Sequence, residues 1–400
     1  MAKPKIRFNG YTEDWEQRKL GEVFKEYSEK NHTELPALTI IQGGGTVKRE
    51  ESDRNLMYDE SNLSNYKMVR KDDFIVHLRS FEGGLEKSLL DGIISPAYHT
   101  FHSDVADSRF YYPYFRSHEF IKHKLVPHVY GIRDGRSIDI AGMKTIEIPY
   151  TSIEEQRKIG DYLESLDNLI TLHQRKCEQT KTLKKYMLQK MFPQDGEKVP
   201  QIRFEGFTED WEQRKLSDIY GSIGNAFVGT ATPYYAEQGH FYLESNNVKD
   251  GQINHNSEVF INDEFYEKQK DKWLRTGDMV MVQSGHVGHA AVIPEELDNT
   301  AAHALIMFRN PKEEIEPYFL NYEYQTDKAK KKIENITTGN TIKHILASDM
   351  QEFVVDVPKY EEQKVIADYF RNIDHLITLH QRKCDELKEV KKFMLQNMFV

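Results

Sequence analysis

Two pairs of imidazole and thiol side chains are the most chemically suggestive groups in this 400-residue sequence. His173 and Cys177 are four residues apart, and so are His380 and Cys384. On a helix this spacing places each pair on one face, and four nitrogen and sulfur ligands form a set that binds Zn²⁺. The same positions also fit a helix–helix seam, where small polar residues set the register. We favour the seam and predict no metal.

Carboxylates next to basic residues raise the question of catalysis. Glu-Gln-Lys at 362–364 looks like half of a nuclease carboxylate–lysine set, and Glu-Gln-Arg at 155–157 is its counterpart. Both open a predicted helix and lack a preceding Pro-Asp, so a role in starting the helix is favoured. Asn-Pro-Lys at 310–312 is not the Asn-Pro-Pro-aromatic loop of amino-methyltransferases, and no glycine-rich phosphate cradle follows a strand. We therefore predict no catalytic residue.

These groups belong to a sequence with an internal repeat. Ile6–Leu20 (IRFNGYTEDWEQRKL) returns at Ile202–Leu216 (IRFEGFTEDWEQRKL), 196 residues later. Leu169–Cys177 (LITLHQRKC) returns unchanged at Leu376–Cys384, 207 residues later. Between these segments the two halves diverge. The pattern predicts one scaffold that carries two unlike domains, with pseudo-twofold symmetry.

The composition is that of an ordinary globular protein with an acidic balance. Lys and Arg number 54 against 64 Asp and Glu, a net charge of −10. Bulk positive charge therefore cannot drive nucleic-acid binding, which would need local basic patches or partners. No apolar run approaches the length of a membrane span, and no signal peptide is evident, so a cytoplasmic location is expected. Two cysteines do not make a disulfide framework.

The fold class predicted is α+β. Two mixed α/β domains alternate with two long helices, which form an antiparallel coiled coil between them. The predicted boundaries are 1–153 for the first domain, 154–192 for the first helix, 193–200 for a linker, 201–360 for the second domain and 361–400 for the second helix. Candidate strands include 74–76, 144–148 and 277–282. The repeat also predicts that residue 1 lies near residue 400.

Heptad spacing predicts that the long helices pair with each other. The predicted seam residues are Ile159, Leu163, Leu166, Ile170, His173 and Cys177 in the first helix and Ile366, Phe370, Ile373, Ile377, His380 and Cys384 in the second. The first helix opens acidic and closes basic, which favours a head-to-tail partner. Each helix would be roughly 58 Å long, with the domains at opposite ends. The alternative is that each helix packs separately on its own domain.

The layout resembles the specificity subunit of type I restriction–modification enzymes over the whole chain. TEDWEQRKL opens each half, and Ile-Pro at 148–149 and Val-Pro at 357–358 lead to Glu-Gln at the helix starts. In the second domain, FYLESNNVKDGQIN at 241–254 is similar to the early strand and turn of that family. Gly-Asp at 277–278 with SGHVG at 284–288 looks like its glycine-rich loop.

A Gly-x-Thr/Ser-Ile element occurs as GNTI at 339–342 and as GRSI at 135–138. The first domain departs from the plainer pattern at Gly-Gly 83–84 and at 95–98, so its half-site is expected to be of another type.

The resemblance implies a subunit without catalysis of its own. It would read a split sequence in double-stranded DNA, one half per domain, and dock two methyltransferase subunits and the restriction and translocase subunits. S-adenosylmethionine would belong to the methyltransferase and ATP with Mg²⁺ to the restriction subunit, so no cofactor is expected in this chain. Half-sites about one helical turn apart, roughly 10 bp centre to centre, would leave an unread gap of roughly 5–7 bp.

Base-reading residues are then expected among the polar loop residues. Arg or Lys pairs with guanine and Asn or Gln with adenine, and loops on a rigid scaffold concentrate recognition. The predicted DNA-contacting residues are Arg79, Ser80, Arg133, Arg136 and Ser137 in the first domain, and Asn246, Asn247, Gln283, Ser284, His286, His289, Asn340, Thr341, Lys343 and His344 in the second. Any one of them could instead be a solvated turn residue. Lys328 and Lys330–Lys332 form a helical basic run, for which a solvated face is favoured over phosphate contact.

Two other classes of function remain open. A structural adaptor could carry two protein-binding domains on the same scaffold, and a lone nuclease or methyltransferase would require activity without partners. A binding-site selection with the methyltransferase complex separates DNA reading from the adaptor.

Overall fold

A computed structural model describes residues 3–52, 60–131, 136–339 and 343–399. The predicted DNA-contacting residues Arg133, Asn340 and Thr341 lie outside these ranges. The chain divides into two compact units. Unit 1 comprises Met1–Gln174 and Gln381–Val400, and unit 2 comprises Arg175–His380. In the described part of the chain, no helix has both the length and the apolar character needed to cross a membrane.

Unit 1 contains a mixed domain built mainly from short strands. Its strands are Glu16–Lys19, Lys25–Tyr27, Leu38–Ile41, Gly45–Lys48, Lys67–Val69, Phe74–Val76, Glu86–Lys87, Gly92–Ile94, His99–His102, Val129–Tyr130, Ser137–Ile138 and Glu147–Tyr150. Its short helices are Leu20–Val23, Ser80–Gly83, Ser108–Phe115, the π-helix Glu119–Leu125 and Ile140–Met143. The strand predicted at 144–148 begins only at Glu147, because Asp139 caps the helix Ile140–Met143 and the chain leaves that helix first. That prediction was wrong by about three residues.

Unit 2 repeats this plan with additions. Its strands are Glu212–Lys215, Tyr220–Asn225, Tyr235–Ala236, His240–Leu243, Val248–Lys249, Gln252–Ile253, Phe260–Ile261, Met279–Val282, Ala290–Val292, Ala301–Ala302, Leu305–Pro311 and Val354–Val357. Its short helices are Leu216–Ile219, Asp263–Lys268, Pro317–Glu323, Asp327–Ile336 and Ala347–Gln351. The predicted strand at 277–282 is therefore present as Met279–Val282, buried along its whole length.

The same four-stranded antiparallel sheet occurs in both units. In unit 1 the strand order is Lys25–Tyr27, His99–His102, Phe74–Val76, Glu86–Lys87. In unit 2 it is Tyr220–Asn225, Leu305–Pro311, Met279–Val282, Ala290–Val292. The third strand is a continuous apolar run in both sheets, as expected for a strand buried on two faces. The third strand therefore ends at the equivalent position in both sheets. The predicted recognition loop begins there.

The long helices are Ile153–Lys190 and Tyr360–Met398. The first half of one helix and the second half of the other belong to the same unit, and within each unit they run antiparallel. In unit 1 Asp167 accepts from Lys391 at 2.5 Å, and in unit 2 Asp374 accepts from Lys184 at 2.7 Å. Because acidic first halves meet basic second halves, the direction predicted from charge is confirmed. Separate packing of each helix is excluded.

The predicted seam residues lie inside these helix pairs. Ile159, Leu163, Leu166, Ile170 and Cys384 are at most 9% exposed and belong to the core of unit 1. In unit 2, Cys177, Ile366, Phe370 and Ile373 are at most 5% exposed, and Ile377 packs against the core. Cys177 Sγ lies 3.9 Å from the Ile377 carbonyl oxygen. His173 and His380 are half-buried.

The amino-terminal repeat segment packs against the end of a long helix in each unit. The Ile6 amide donates to the Asn397 carbonyl at 3.1 Å, and the Ile202 amide donates to the Lys190 carbonyl at 2.8 Å. Trp15 packs edge-on against Phe399 just as Trp211 packs against Phe192. Segments close to the two ends of the chain therefore meet in unit 1. Residues 1 and 400, for which the repeat predicted proximity, lie outside the described ranges.

The Glu-Gln pair at the start of each long helix binds the helix to its domain. Glu155 accepts two hydrogen bonds from Arg7, at 2.6 and 2.8 Å, and Glu362 accepts the equivalent pair from Arg203, at 2.7 and 2.8 Å. Both carboxylates are buried. The adjacent Gln156 accepts from the Asp107 amide at 3.0 Å. In unit 2 the equivalent Gln363 accepts from the Glu316 amide at 3.0 Å. The arginine pair and the glutamine bond that hold the helix start are therefore common to both units.

Glu323 gives unit 2 an unusual pH dependence. Burial raises the pKa of this carboxyl from 4.5 to about 8, although its oxygen accepts from the Asp356 amide at 2.8 Å. Between these two values the folded state holds a proton that the unfolded state has lost. The free energy of unfolding therefore falls as the pH rises from about 4.5 to about 8, by up to about 1.4 kcal/mol per pH unit.

Glu323→Gln is expected to flatten this fall. Amide hydrogen exchange in the neighbouring strand Val354–Val357, measured across that pH range after correction for intrinsic exchange, reports the change. The exposed Glu314→Gln serves as the control. Equal pH slopes in wild type and Glu323→Gln would contradict the assignment.

Candidate nucleic-acid interface

In unit 1 the predicted residues of two separate segments come together. Arg79 is exposed in the turn between the strand Phe74–Val76 and the helix Ser80–Gly83. Arg136 reaches this helix: its guanidinium lies 3.3 Å from the Glu82 carboxylate and 4.4 Å from the centre of the Phe81 ring. Ser137 follows it on an exposed strand position. Arg79, Arg136 and Ser137 thus present polar groups from adjoining elements.

Ser80 is a correction to the predicted set. It is 0% exposed, and its hydroxyl accepts a hydrogen bond from the His77 amide at 2.9 Å. The side chain satisfies a backbone donor at the end of the strand, as serine often does at turns. Its role is to shape the loop that carries Arg79, and it is removed from the candidates.

Gln42 joins the site although sequence reasoning missed it. It is exposed at the tip of the hairpin formed by Leu38–Ile41 and Gly45–Lys48, and its side chain lies against Gly83. The buried Glu86 fixes this tip by accepting from the Gly43 amide at 2.7 Å. The sequence does contain a pattern that predicts this hairpin, because Gln-Gly-Gly-Gly stands between two apolar runs.

In unit 2 the two predicted loops meet through backbone hydrogen bonds. The Gly285 amide donates to the Lys343 carbonyl at 3.1 Å, and the Ile345 amide donates to the Gln283 carbonyl at 3.0 Å. Ser284 and His344 pair across this junction. His286, Lys343 and His344 are exposed there, and Gln283 and Ser284 are half-buried. The structure therefore places these five residues in one surface, the equivalent of the Arg79–Arg136 surface in unit 1.

His289 closes the first of these loops. Its ring is half-buried, and burial lowers the pKa of its imidazole, so the ring is neutral at pH 7. Its Nδ1 accepts from the Asp250 amide at 3.2 Å, which joins the loop to the hairpin Val248–Ile253. A neutral imidazole whose Nδ1 is an acceptor carries its proton on Nε2, so it presents a single donor.

Asn247 is a second correction, whereas its neighbour stays a candidate. Asn247 is 1% exposed, and its amide donates to the carbonyls of Asn254 and Ser257 at 3.1 and 3.2 Å. Its side-chain oxygen accepts from the Glu244 amide at 3.0 Å. The buried side chain therefore serves the turn and is not presented to a ligand. Asn246 is exposed.

The four lysines of the basic run in unit 2 differ in their exposure. Lys328 pairs with Asp356 at 2.6 Å, and Lys332 donates to the Val354 carbonyl at 3.1 Å. Lys330 and Lys331 are exposed. Half of the run is therefore structural. No group of three or more side chains suited to a metal ion occurs among the residues described, and Cys177 and Cys384 are buried.

The sequence is similar to those of two curated proteins. The "Type I restriction enzyme MjaVIII specificity subunit" of Methanocaldococcus jannaschii is 24% identical over 263 residues, 64% of this chain and 61% of that protein. The "Putative type I restriction enzyme MjaX specificity subunit" of the same organism is 26% identical over 262 residues, 64% of this chain and 59% of that protein. The chain spans about three fifths of the length of these curated relatives.

A solved structure shares the fold over the full length. The S subunit of a type I restriction–modification system from M. genitalium has a TM-score of 0.63 at 15% identity, and the match covers 100% of this chain and 99% of that one. The family model of the type I restriction modification DNA specificity domain matches residues 12–182 and again residues 208–389. These two matches cover most of the sequence, one for each copy of the repeat, and the chain therefore belongs to the family of type I restriction–modification DNA specificity domains.

Proposed function

We propose that this chain is the DNA specificity subunit of a type I restriction–modification complex and reads an asymmetric, bipartite target. The observation that carries this is the equivalent placement of unlike polar surfaces. In each unit a loop that follows the third strand of the sheet meets a later segment, with Arg79 and Arg136 in unit 1 and His286 and Lys343 in unit 2. A repeated scaffold with different side chains at the same place reads two different half-sites, separated by several unread base pairs.

The partners proposed are double-stranded DNA, two methyltransferase subunits and restriction and translocase subunits, with the complex acting in the cytoplasm. Methylation and ATP-dependent cleavage would then reside in the partners, together with S-adenosylmethionine, ATP and Mg²⁺, and this chain would contribute recognition alone. Such a division fits a net charge of −10, because partners that enclose the DNA would supply much of the phosphate neutralisation.

Two equivalent apolar patches support a pair of methyltransferase subunits. In unit 1 the patch consists of Leu169, Leu172, Val390 and Phe393, which are 42–54% exposed. In unit 2 the repeat equivalents are Leu376, Leu379, Leu183 and Tyr186, which are 44–53% exposed. When the heptad spacing of the seam is continued beyond Cys177 and Cys384, each patch residue directly precedes a seam position. In an antiparallel pair all four residues of a patch therefore flank the seam on the same side. One patch per unit is what two copies of the same partner require.

Binding-site selection from random duplexes with the assembled methyltransferase complex tests the proposal. Enrichment of a split, asymmetric sequence supports it. No enrichment, with the complex intact, would favour an adaptor that binds only proteins.

Loss of one base-reading side chain is expected to relax only one half-site. Arg136→Ala is expected to reduce discrimination in the half-site of unit 1 by about 1–3 kcal/mol, the value of a bidentate contact to guanine. Lys343→Ala is expected to do the same in the other half-site. Competition binding with singly substituted duplexes measures both. Lys5→Ala, an exposed charge outside the loops, is the control, and equal loss at both half-sites after Arg136→Ala would contradict a base-reading role.

A further inference from the structure

Each unit contains a cleft between its helix pair and its mixed domain. The cleft volume is about 670 Å³ in unit 1 and about 580 Å³ in unit 2. The helix side of each cleft carries the same lysine triplet, which has the pattern Lys-x-x-Lys-Lys. The triplet consists of Lys388, Lys391 and Lys392 in unit 1 and of Lys181, Lys184 and Lys185 in unit 2. The two clefts are therefore copies of one feature, although the domains above them differ.

The middle lysine of each triplet forms an ion pair with an aspartate of the same unit. Lys184 Nζ lies 2.7 Å from Asp374 and donates to Gln325 at 2.9 Å, and its side chain is only 12% exposed. Lys391 pairs with Asp167 at 2.5 Å. Each middle lysine neutralises the aspartate on the helix wall of its cleft, so that aspartate does not repel an anion.

The outer lysines remain available to a ligand. Lys181 contacts Glu178 at 2.8 Å, Lys388 contacts Asp385 at 3.7 Å and Lys392 contacts Glu389 at 3.6 Å, all one turn away on the same helix and exposed. Pairs of this kind contribute little, and their lysines can exchange a carboxylate for another anion at small cost. Lys185 is exposed and has no ion pair within the part of the chain that the structure describes.

The surroundings favour a phosphate backbone as the anion. In a chain of net charge −10, residues 175–190 contain six basic residues and one acidic residue. Across the cleft of unit 2 stand Lys330 and His289, and His289 closes the recognition loop; Asp250 and Asp327 are the acidic residues on that side. The first and last lysines of a triplet are about 6 Å apart along the helix, and each DNA strand has a phosphate every 3.4 Å of its axis. A triplet therefore spans neighbouring phosphates of one strand.

We propose that each cleft holds the sugar–phosphate backbone of the duplex beside the half-site that its unit reads. Lys181 and Lys185 contact phosphates in unit 2, and Lys388 and Lys392 do so in unit 1. These contacts add affinity without sequence preference, because phosphates carry no base information. The proposal rests on the proposed function, since it assumes that the loop closed by His289 faces DNA.

The test uses the full chain assembled with its methyltransferase subunits. Lys181→Gln/Lys185→Gln and Lys388→Gln/Lys392→Gln keep good helix formers at exposed positions. Each double variant is expected to reduce the slope of log K against log salt concentration by about 1.8, about 0.9 per phosphate contact. The reduction is expected to be the same on the selected target and on a random duplex, with discrimination between them unchanged.

Two results would overturn the inference. One is a salt slope equal to that of the wild type. The other is loss of subunit assembly with unchanged DNA contacts, which would assign the clefts to a protein partner. A wild-type complex that prefers no sequence would instead refute the proposed function, so the two failures are distinguishable.

Discussion

Replacing Glu155 or Glu362 by glutamine is expected to lower the free energy of unfolding of its own unit by about 3–5 kcal/mol. Each carboxylate is at most 1% exposed and is the partner of a guanidinium whose side chain is only 13–14% exposed. Removal of the negative charge leaves Arg7 or Arg203 largely buried without compensation. The effect is expected to be larger at Glu155, which also accepts from Trp15 at 3.1 Å and from Thr151.

Amide hydrogen exchange measures the loss of stability separately for each unit. A single melting curve for a chain of two units does not. The controls are Glu154→Gln and Glu361→Gln, because these neighbours in the same helical turn are exposed and are expected to change stability by less than about 0.5 kcal/mol. Combining Glu362→Gln with Arg203→Met removes both charges and is expected to restore much of the loss. Destabilisation no larger than that of the controls would contradict the role assigned to the pair.

The helical part of the fold could be predicted because its signals are local and periodic. The seam follows from heptad spacing, and its direction follows from charges that Asp167–Lys391 and Asp374–Lys184 bring together. The packing of Trp15 on Phe399 follows from the repeat, since Phe399 takes the place of Phe192. Each of these inferences compares residue types at fixed spacing and requires no knowledge of the tertiary structure.

The recognition surfaces were less predictable, because the same polar residue can serve the loop or a ligand. Ser80 and Asn247 turn inward to satisfy backbone groups, whereas Arg79 and Asn246, their sequence neighbours, are exposed. Residue type does not distinguish these outcomes, since both are ordinary behaviour of turn residues. Gln42 is brought to the site by a hairpin far away in the sequence, a tertiary relation that the local pattern does not contain.

The duplicated lysine triplet shows what an internal repeat can add to such reasoning. In the sequence, Lys181, Lys184 and Lys185 belong to the basic end of the first long helix. Their counterparts recur 207 residues later in the same pattern, whereas the recognition loops do not recur. Under the proposed function, features that both units retain would serve a need common to both half-sites, and features that differ would be specific to one. Assembly and phosphate contact would be the common needs, and base reading the specific one.

Aspartate placed in one apolar patch is expected to remove one methyltransferase subunit from the complex. Leu169→Asp acts in unit 1 and Leu376→Asp in unit 2, where the wild-type side chains are 43% and 44% exposed. Burial of a leucine contributes about 1.5–3 kcal/mol, and a charge that loses its hydration in the interface costs more. Each variant is expected to weaken binding at its own patch at least about 100-fold, since each factor of ten is about 1.4 kcal/mol.

Native mass spectrometry of the co-expressed subunits measures the outcome as a count. Wild type is expected to carry two methyltransferase subunits, each single variant one, and Leu169→Asp/Leu376→Asp none. The matched control is Asn168→Asp, which adds the same charge at the adjacent exposed position, away from the patch, and is expected to retain two. Because the patches are equivalent by repeat, loss of both subunits from either single variant would show that the patches do not act independently. Retention of both subunits by the double variant would remove the helix patches as the docking surface.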